Sequence, residues 1–398
     1  MQEPIYLLVL THNYPRYKGD YAGIFIQLLC RKLVSQGISP IVLAPHDNGA
    51  AEYEENEGIK IYRFHYAPTV KEQTIAYRGQ MHNLVLKSVS GIFKFKNFLD
   101  SFKKSASEII EKEKIDIIAG HWLVPSGLVM KQLAKKYDIP MIISSHGTDV
   151  RLMKKYYKVV YRYLKSFTRK LKCWTVVSSF LRDELLNLDS SLKQKLEILP
   201  LPHDESIFFE DKSVAKESNL ITAVTRFTDQ KRVDVLIKAF ALLSEINSSA
   251  RLEIYGSGPL EDNIKNDIDR FKLKGKVKIY EPVSQVELRK IYNKSSVVVL
   301  NSVEEGFGLA LSEAMLCRTA VIGTDSGGIV DIIENEKTGL LVEADNAPAL
   351  SGAMFRLLSD GELRMKLADN GYQQATKNYA SSSLAKRYAE IIRVALKD

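Results

Sequence analysis

The chain has 398 residues, 45% of them apolar, and a mean hydropathy of −0.13. That is too long for one ordinary core, so two or three soluble domains are expected, and no apolar run reaches the roughly 18 residues a bilayer span needs. The net charge of +8 is uneven: residues 1–200 hold 30 basic against 19 acidic residues, the remainder 26 against 29. All the excess positive charge therefore belongs to the first half, which points to an anionic partner there. The three cysteines, Cys30, Cys173 and Cys317, are odd in number and far apart, so neither a disulfide framework nor a zinc pattern is expected, and a cytosolic protein is.

In chain order, the apolar run 5–10 lacks a basic flank and a small-residue cleavage site, and reads as a first strand rather than a signal peptide. A helix is expected over 24–36, ending at Gly37, then strands at 41–44, 60–64, 115–120, 141–145 and 174–177 with helices between them. The prolines of Pro200-Leu201-Pro202-His203-Asp204 interrupt any regular element and mark the joint, giving domains over 1–200 and 201–380. The rhythm then restarts: strand 220–225, helix 233–243, and strands 252–255, 277–280, 297–300, 320–323 and 340–342. Strand–helix alternation twice over predicts two Rossmann-like, doubly wound parallel-sheet domains facing a cleft, with ligands at the carboxyl ends of the strands.

The most informative stretch is Asn301-Ser302-Val303-Glu304-Glu305-Gly306-Phe307-Gly308-Leu309-Ala310-Leu311-Ser312-Glu313. A strand enters, a glycine loop follows and a helix-forming run leaves, so backbone N–H groups and the helix dipole can meet an anion. The two carboxylates would then sit one at the helix mouth and one about two turns further along, within ~80° of the same face and roughly 12 Å apart along the axis. A surface helix with two solvated glutamates is the plain alternative. Arg226 and Lys231 follow the first strand of the second half, where a guanidinium fork and an ammonium can hold a diphosphate. Gly256-Ser257-Gly258-Pro259 is either a backbone-approach loop or a tight turn. His121 and His146 each end an expected strand, beside Gly or Pro turns and ahead of Asp149, and favour a ligand-facing position over a structural one. The first loop carries Arg16, Gly19, Asp20 and Gly23 and is either functional or mobile surface. Asp267-Ile268-Asp269 has the string of a metal-dependent transferase, but on a helix its two carboxylates point ~200° apart and cannot share a cation.

Residues 151–172 contain nine basic residues and no acid. Leu152, Tyr156, Val160, Tyr163, Phe167 and Leu171 recur at helical spacing, and 87–104 adds Lys94, Lys96, Lys103 and Lys104 among Ile92, Phe93, Phe95, Phe98 and Phe102. Each segment reads equally as a buried stripe with a solvated basic face or as an interfacial helix for an anionic membrane. No nucleic-acid motif accompanies the charge.

The glutamate pair resembles the Glu-x7-Glu motif of retaining glycosyltransferases of family 4, which have the GT-B fold. The Arg226/Lys231 segment, both His segments, Gly256 to Pro259 and Pro200 to Asp204 fall in the order that family has, so the resemblance covers nearly the whole chain. It implies a metal-independent hexosyltransferase that needs no cofactor and takes a nucleotide-diphosphate sugar as donor. His121, Arg226, Lys231 and Glu305 would be catalytic; Gly19, Gly256, Gly258, Gly306, Phe307, Gly308, Leu309 and Glu313 would bind donor. Arg16, Asp20, His146 and Asp149 would meet the acceptor or line the cleft. The final helix, 381–398, would cross back onto the first domain. Arg318 and Ala320 stand where the family usually has Gly and Pro. With the basic first half, the expected reaction is transfer to a lipid-linked or membrane-associated glycan by a cytoplasmic protein at the inner face of the membrane. A soluble transferase with a small acceptor, a glucan phosphorylase and a non-catalytic nucleotide-sugar-binding subunit are the alternatives.

Overall fold

A computed structural model describes residues 3–77, 81, 84–85, 88–168 and 170–397. They divide into two compact units. The first comprises the described residues up to Val177, Leu181–Pro202 and those from Ser381 on; the second comprises Ser178–Phe180 and His203–Ala380.

The first unit is built on eight strands: β1 (Ile5–Leu10), β2 (Ile38–Pro45), β3 (Tyr53–Asn56), β4 (Ile59–Phe64), β5 (Ile117–His121), β6 (Met141–Ser145), β7 (Leu171–Val176) and β8 (Leu196–Ile198). Their order is β3-β4-β2-β1-β5-β6-β7-β8, and only the β3–β4 pair is antiparallel. Continuous apolar runs such as Leu7–Leu10 are buried on both faces, as parallel strands between helix layers must be. The helices are α1 (Ile24–Val34), α2 (Val89–Lys112), α3 (Leu128–Lys136), α4 (Thr148–Lys155), α5 (Tyr157–Thr168) and α6 (Ser179–Leu188). Strand β3 has no counterpart in the expected elements. It returns through the two-residue turn Glu57-Gly58, both at positive φ (53° and 77°), the turn chemistry that closes tight hairpins.

The expected single stripe over 151–172 is not one helix. Helix α4 stops at Tyr156 (φ −117°, ψ 24°), α5 restarts the turn, and Leu171 pairs with Met141 as the first residue of β7. A strand's demand for sheet partners has overridden helical periodicity, so Leu171 does not continue the helix that carries Phe167. Lys87 and Arg169, and the side chains of Tyr157, Lys158, Val160, Tyr161, Tyr163 and Leu164, lie outside the described residues.

The second unit has an all-parallel sheet of β9 (Glu217–Val224), β10 (Arg251–Tyr255), β11 (Val277–Tyr280), β12 (Ser295–Leu300), β13 (Ala320–Thr324) and β14 (Leu340–Val342), in the order β11-β10-β9-β12-β13-β14. Its helices are α7 (Val233–Ile246), α8 (Glu261–Arg270), α9 (Gln285–Lys294), α10 (Leu309–Leu316), α11 (Ala347–Ser359) and α12 (Gly361–Tyr379). A last helix, α13 (Ser381–Lys397), packs Leu384, Tyr388 and Ile392 into the first unit's core with Leu7, Ile26 and Leu33. Each such fully buried aliphatic side chain contributes about 1.5–3 kcal/mol of transfer free energy.

In each sheet the strand order reverses once, between β1 and β5 and between β9 and β12. Loops diverge there, leaving a crevice at the strands' carboxyl ends. Just past the end of α10, Arg318 stands at φ 53°, a left-handed conformation that costs a non-glycine residue roughly 1–2 kcal/mol. The backbone bonds Thr319 N–H to Ala314 O and Arg318 N–H to Met315 O close the helix, and the Arg318 guanidinium reaches Asp369 (2.6 Å) and Glu210 (3.0 Å). Arginine here trades backbone strain for two ion pairs.

Candidate active site

The second unit's switch point gathers loops from β9, β10, β12 and β13. After β9, Phe227 donates its N–H to Ser257 O (3.0 Å) and accepts from Leu260 N–H (3.2 Å), while Thr225 N–H bonds Tyr255 O. This backbone zipper explains Gly256 and Gly258. A Cβ on Gly256 would meet Thr225 O at 1.8 Å, and one on Gly258 would meet Phe227 backbone atoms at 2.6 to 2.9 Å. Phe227 is buried beneath, which leaves Arg226 at the strand end. Arg226 makes no ion pair with a described residue.

Lys231 lies in the short turn before α7, and its Nζ donates to Glu305 Oε2. The pair is largely shielded, with side-chain exposures of 12% and 15%. Backbone and amide bonds fasten the two loops: Val303 N–H to Gln230 O (2.9 Å), Gln230 Nε2 to Glu304 O (3.0 Å) and Asn301 Nδ2 to Arg232 O (3.0 Å). The loop after β13 props the same turn, with Gly328 N–H on Glu305 O at 2.7 Å and no room for a Cβ on Gly327 beside Glu305 N at 2.5 Å. Glu305 is thus held by three loops.

The helical geometry expected of the two glutamates does not apply. Helix α10 begins at Leu309, because Gly308 takes φ 113° and ψ 50°, so Glu305 precedes the helix on the loop. Only Glu313 rides α10. It is buried, accepts from Tyr292 Oη at 3.0 Å, and burial lifts its carboxyl to about 8 against a weaker opposing effect of the Tyr292 bond. Phe307 is also buried. Its ring lies edge-on to Tyr379 (5.4 Å) and near His203, whose Nε2 meets Ser312 Oγ at 2.7 Å. Phe307 therefore anchors the glycine loop to the core rather than offering a ring to solvent. Gly306 is half-buried and Leu309 exposed. The N-cap position of α10 is Gly308, which has no side chain to cap with, and Leu311 N–H bonds back to Gly308 O at 3.0 Å.

In the first unit, β5 ends in His121 and β6 is followed by His146, and the two rings meet at Nδ1···Nε2 3.0 Å, their planes nearly parallel at 12°. Asp149 ties both loops together: its oxygens accept from Leu123 N–H (2.9 Å), His146 N–H and Gly147 N–H (both 3.2 Å). Burial raises the Asp149 carboxyl despite those bonds, and drives the His121 imidazole down to about 3. The first loop is stapled by Arg16, which bonds Asp20 at 2.7 Å and Asp47 at 2.8 Å. Burial alone would raise Asp20; the Arg16 bonds and backbone N–H groups outweigh it and hold the carboxyl low. Gly19 sits exposed in this loop at φ 94°.

Three residues here were not singled out by sequence alone. His12 follows β1, and its ring lies 4.5 Å from Trp122; Phe25 and Trp122 flank His146 at 4.9 and 4.7 Å. The rule that singled out His121 and His146, a histidine at a strand's carboxyl end, also fits His12. Asp267 and Asp269 do stand on a helix, α8, and Asp269 pairs with Lys274 at 3.0 Å.

A parallel sheet with a single switch point in each unit defines the doubly wound α/β class, and the family comparisons narrow it further. The model "Glycosyltransferase Family 4" matches residues 22–206 and "Glycosyl transferases group 1" matches residues 204–374. Together they mark the chain as a glycosyltransferase of the GT-B, family 4 type. Similar proteins include an uncharacterized glycosyltransferase of Methanocaldococcus jannaschii, 28% identical over 351 residues, covering 87% of this chain and 94% of that protein. The N-acetyl-alpha-D-glucosaminyl L-malate synthase of Bacillus anthracis is 23% identical, covering 80% and 84%. Among solved structures, sucrose-phosphate synthase from Thermosynechococcus elongatus has a TM-score of 0.81 at 20% identity over 98% of both chains. Anabaena HepE, in complex with UDP and glucose, has a TM-score of 0.72 at 17% identity over 97% and 99%. At such identities the structures speak to the fold, which is GT-B.

Proposed function

We propose that the protein is a retaining hexosyltransferase that moves a sugar from a nucleotide-diphosphate donor to a lipid-linked or membrane-associated glycan, without a catalytic metal or other cofactor. The observation that carries this reading is the second unit's switch point, where Arg226 follows β9, α10 begins beyond the neighbouring β12, and Val303 N–H joins the two loops at Gln230 O. Arg226 and the N–H groups from Gly306 to Leu309 hold the diphosphate, as helix starts hold anions. Lys231, oriented by Glu305, adds positive charge on the departing phosphate; Glu305 also accepts from sugar hydroxyls, and Glu313 holds the ribose. HepE, of the same fold, is known in complex with UDP and glucose, which supports a donor of this chemistry.

In the reaction the C1–O bond to the phosphate breaks and the acceptor oxygen bonds C1 on the same face. The acceptor proton passes to the departing phosphate. Retention by front-face displacement fits a site whose loop carboxylate, Glu305, is engaged by Lys231. His121 supplies a neutral hydrogen bond to the transferred sugar. Charge develops on the leaving oxygen, so removing one fixed donor should cost roughly 10²–10³ in turnover. Arg226→Ala is expected to lose that much in a donor-consumption assay, and wild-type turnover would overturn the assignment.

The excess positive charge and an apolar patch on the first unit support the membrane-associated acceptor and a place at the cytoplasmic face of a membrane. Val89, Ile92 and Phe93 at the start of α2 are 71%, 56% and 63% exposed beside the exposed Lys94 and Lys96. No described helix is long and apolar enough to cross a membrane. A second reading, transfer to a small acceptor, is favoured by the likeness to an N-acetyl-alpha-D-glucosaminyl L-malate synthase.

A further inference from the structure

The three histidines at the ends of β1, β5 and β6 do not act alone. Resting on the proposed sugar-transfer role, we propose that His146 is a positioning residue that fixes the proton of His121 on Nε2, so that His121 meets the sugar as an N–H donor and never as an acceptor. His121 Nδ1 and His146 Nε2 are 3.0 Å apart with ring planes at 12°, so one N–H lies between them. Its owner is decided at the other end of His146. Among the described residues, the buried His146 Nδ1 has no hydrogen-bond partner. An unpaired buried N–H is costlier and rarer than an unpaired lone pair, so the proton of His146 sits on Nε2. Nε2–H then donates to His121 Nδ1, which must carry a lone pair, and the single proton of neutral His121 falls on its Nε2.

The surroundings preserve this arrangement. The His146 ring is held between Phe25 and Trp122, and its backbone N–H is tied to Asp149, which also grips Leu123 N–H beyond His121. The ionisable groups around the pair are His12, whose ring packs on Trp122, and Asp149. Burial keeps all three imidazoles neutral, with His12 lowered to about 4 and His121 to about 3. Neutral rings have tautomers to choose between, and the contact between His121 and His146 makes the choice.

The test is long-range proton–nitrogen NMR of the full chain with ¹⁵N-labelled histidine at pH 7, without ligand. His121 should show a protonated Nε2 and a bare Nδ1. In His146→Phe, which keeps a ring but no donor, His121 should become a mixture of tautomers, with turnover down roughly tenfold. His146→Gln, whose amide can donate to Nδ1, should restore both the tautomer and most of the turnover. A wild-type His121 protonated on Nδ1 or doubly protonated would overturn the proposal even if neither variant folds. An unchanged tautomer in a folded His146→Phe would do the same. Because the spectrum is read on the free protein, failure of sugar transfer, seen as absent donor binding, is a separate result.

Discussion

At the scale of single residues, the site works by withholding solvent from ionisable groups. The Glu313 carboxyl accepts from Tyr292 Oη and is buried in the free protein. Its folded value of about 8 lies above the ordinary 4.5. Between those values the folded chain keeps a proton that the unfolded chain has released, so this group's stabilising contribution is complete below about 4.5 and is lost as pH rises through about 8. Glu313→Gln removes that loss. The melting temperature of the variant relative to wild type should therefore rise from pH 5 to pH 9, and a difference independent of pH would contradict the buried, protonated carboxyl. His121 and His203, both lowered to about 3 by burial, act in the opposite sense as pH falls below 6.5, equally in both proteins. The sequence named Glu313 but not its state, because its hydrogen-bond partner, Tyr292, comes from α9 and no local spacing links the two.

At the scale of elements, strands and their end residues were legible and the single helical stripe over 151–172 was not. Buried runs such as 5–10, 141–145 and 277–280 fall where apolar continuity places them, since a parallel strand needs only to be apolar on both faces. Arg226, His121 and His146 follow from the same rule. The 151–172 stripe misled because six apolar positions at helical spacing fit equally well on two helices and a strand. The Glu305–Glu313 helix misled because Gly308 delays the helix start. Helix α2 buries Phe98 and Phe102 further along while its first turns leave Val89, Ile92 and Phe93 out. Apolar side chains beside lysines suit an anionic bilayer surface. Replacing Ile92 and Phe93 by Ser together should weaken binding to phosphatidylglycerol vesicles roughly tenfold or more in a flotation assay, while donor consumption in solution is unchanged. Equal binding by the variant and wild type would remove α2 from the membrane account.

At the scale of the whole molecule, the chain divides its chemistry between the two units. The basic excess and the exposed apolar turn of α2 belong to the first. The groups proposed to grip the donor, Arg226, Lys231, Glu305, Glu313 and the start of α10, all belong to the second. Two repetitions of strand–helix alternation made the doubly wound architecture readable from the sequence, because that pattern has few other solutions. Sugar, base and acceptor were not readable, because loop side chains choose them and a strand pattern does not constrain loops. The most direct test is calorimetric titration of the full chain with UDP-, GDP- and ADP-sugars. Saturable binding of at least one, weakened by rising salt as a diphosphate held by Arg226 and a helix start requires, is the predicted result. Absence of binding heat with every donor, confirmed across temperatures, would contradict the account.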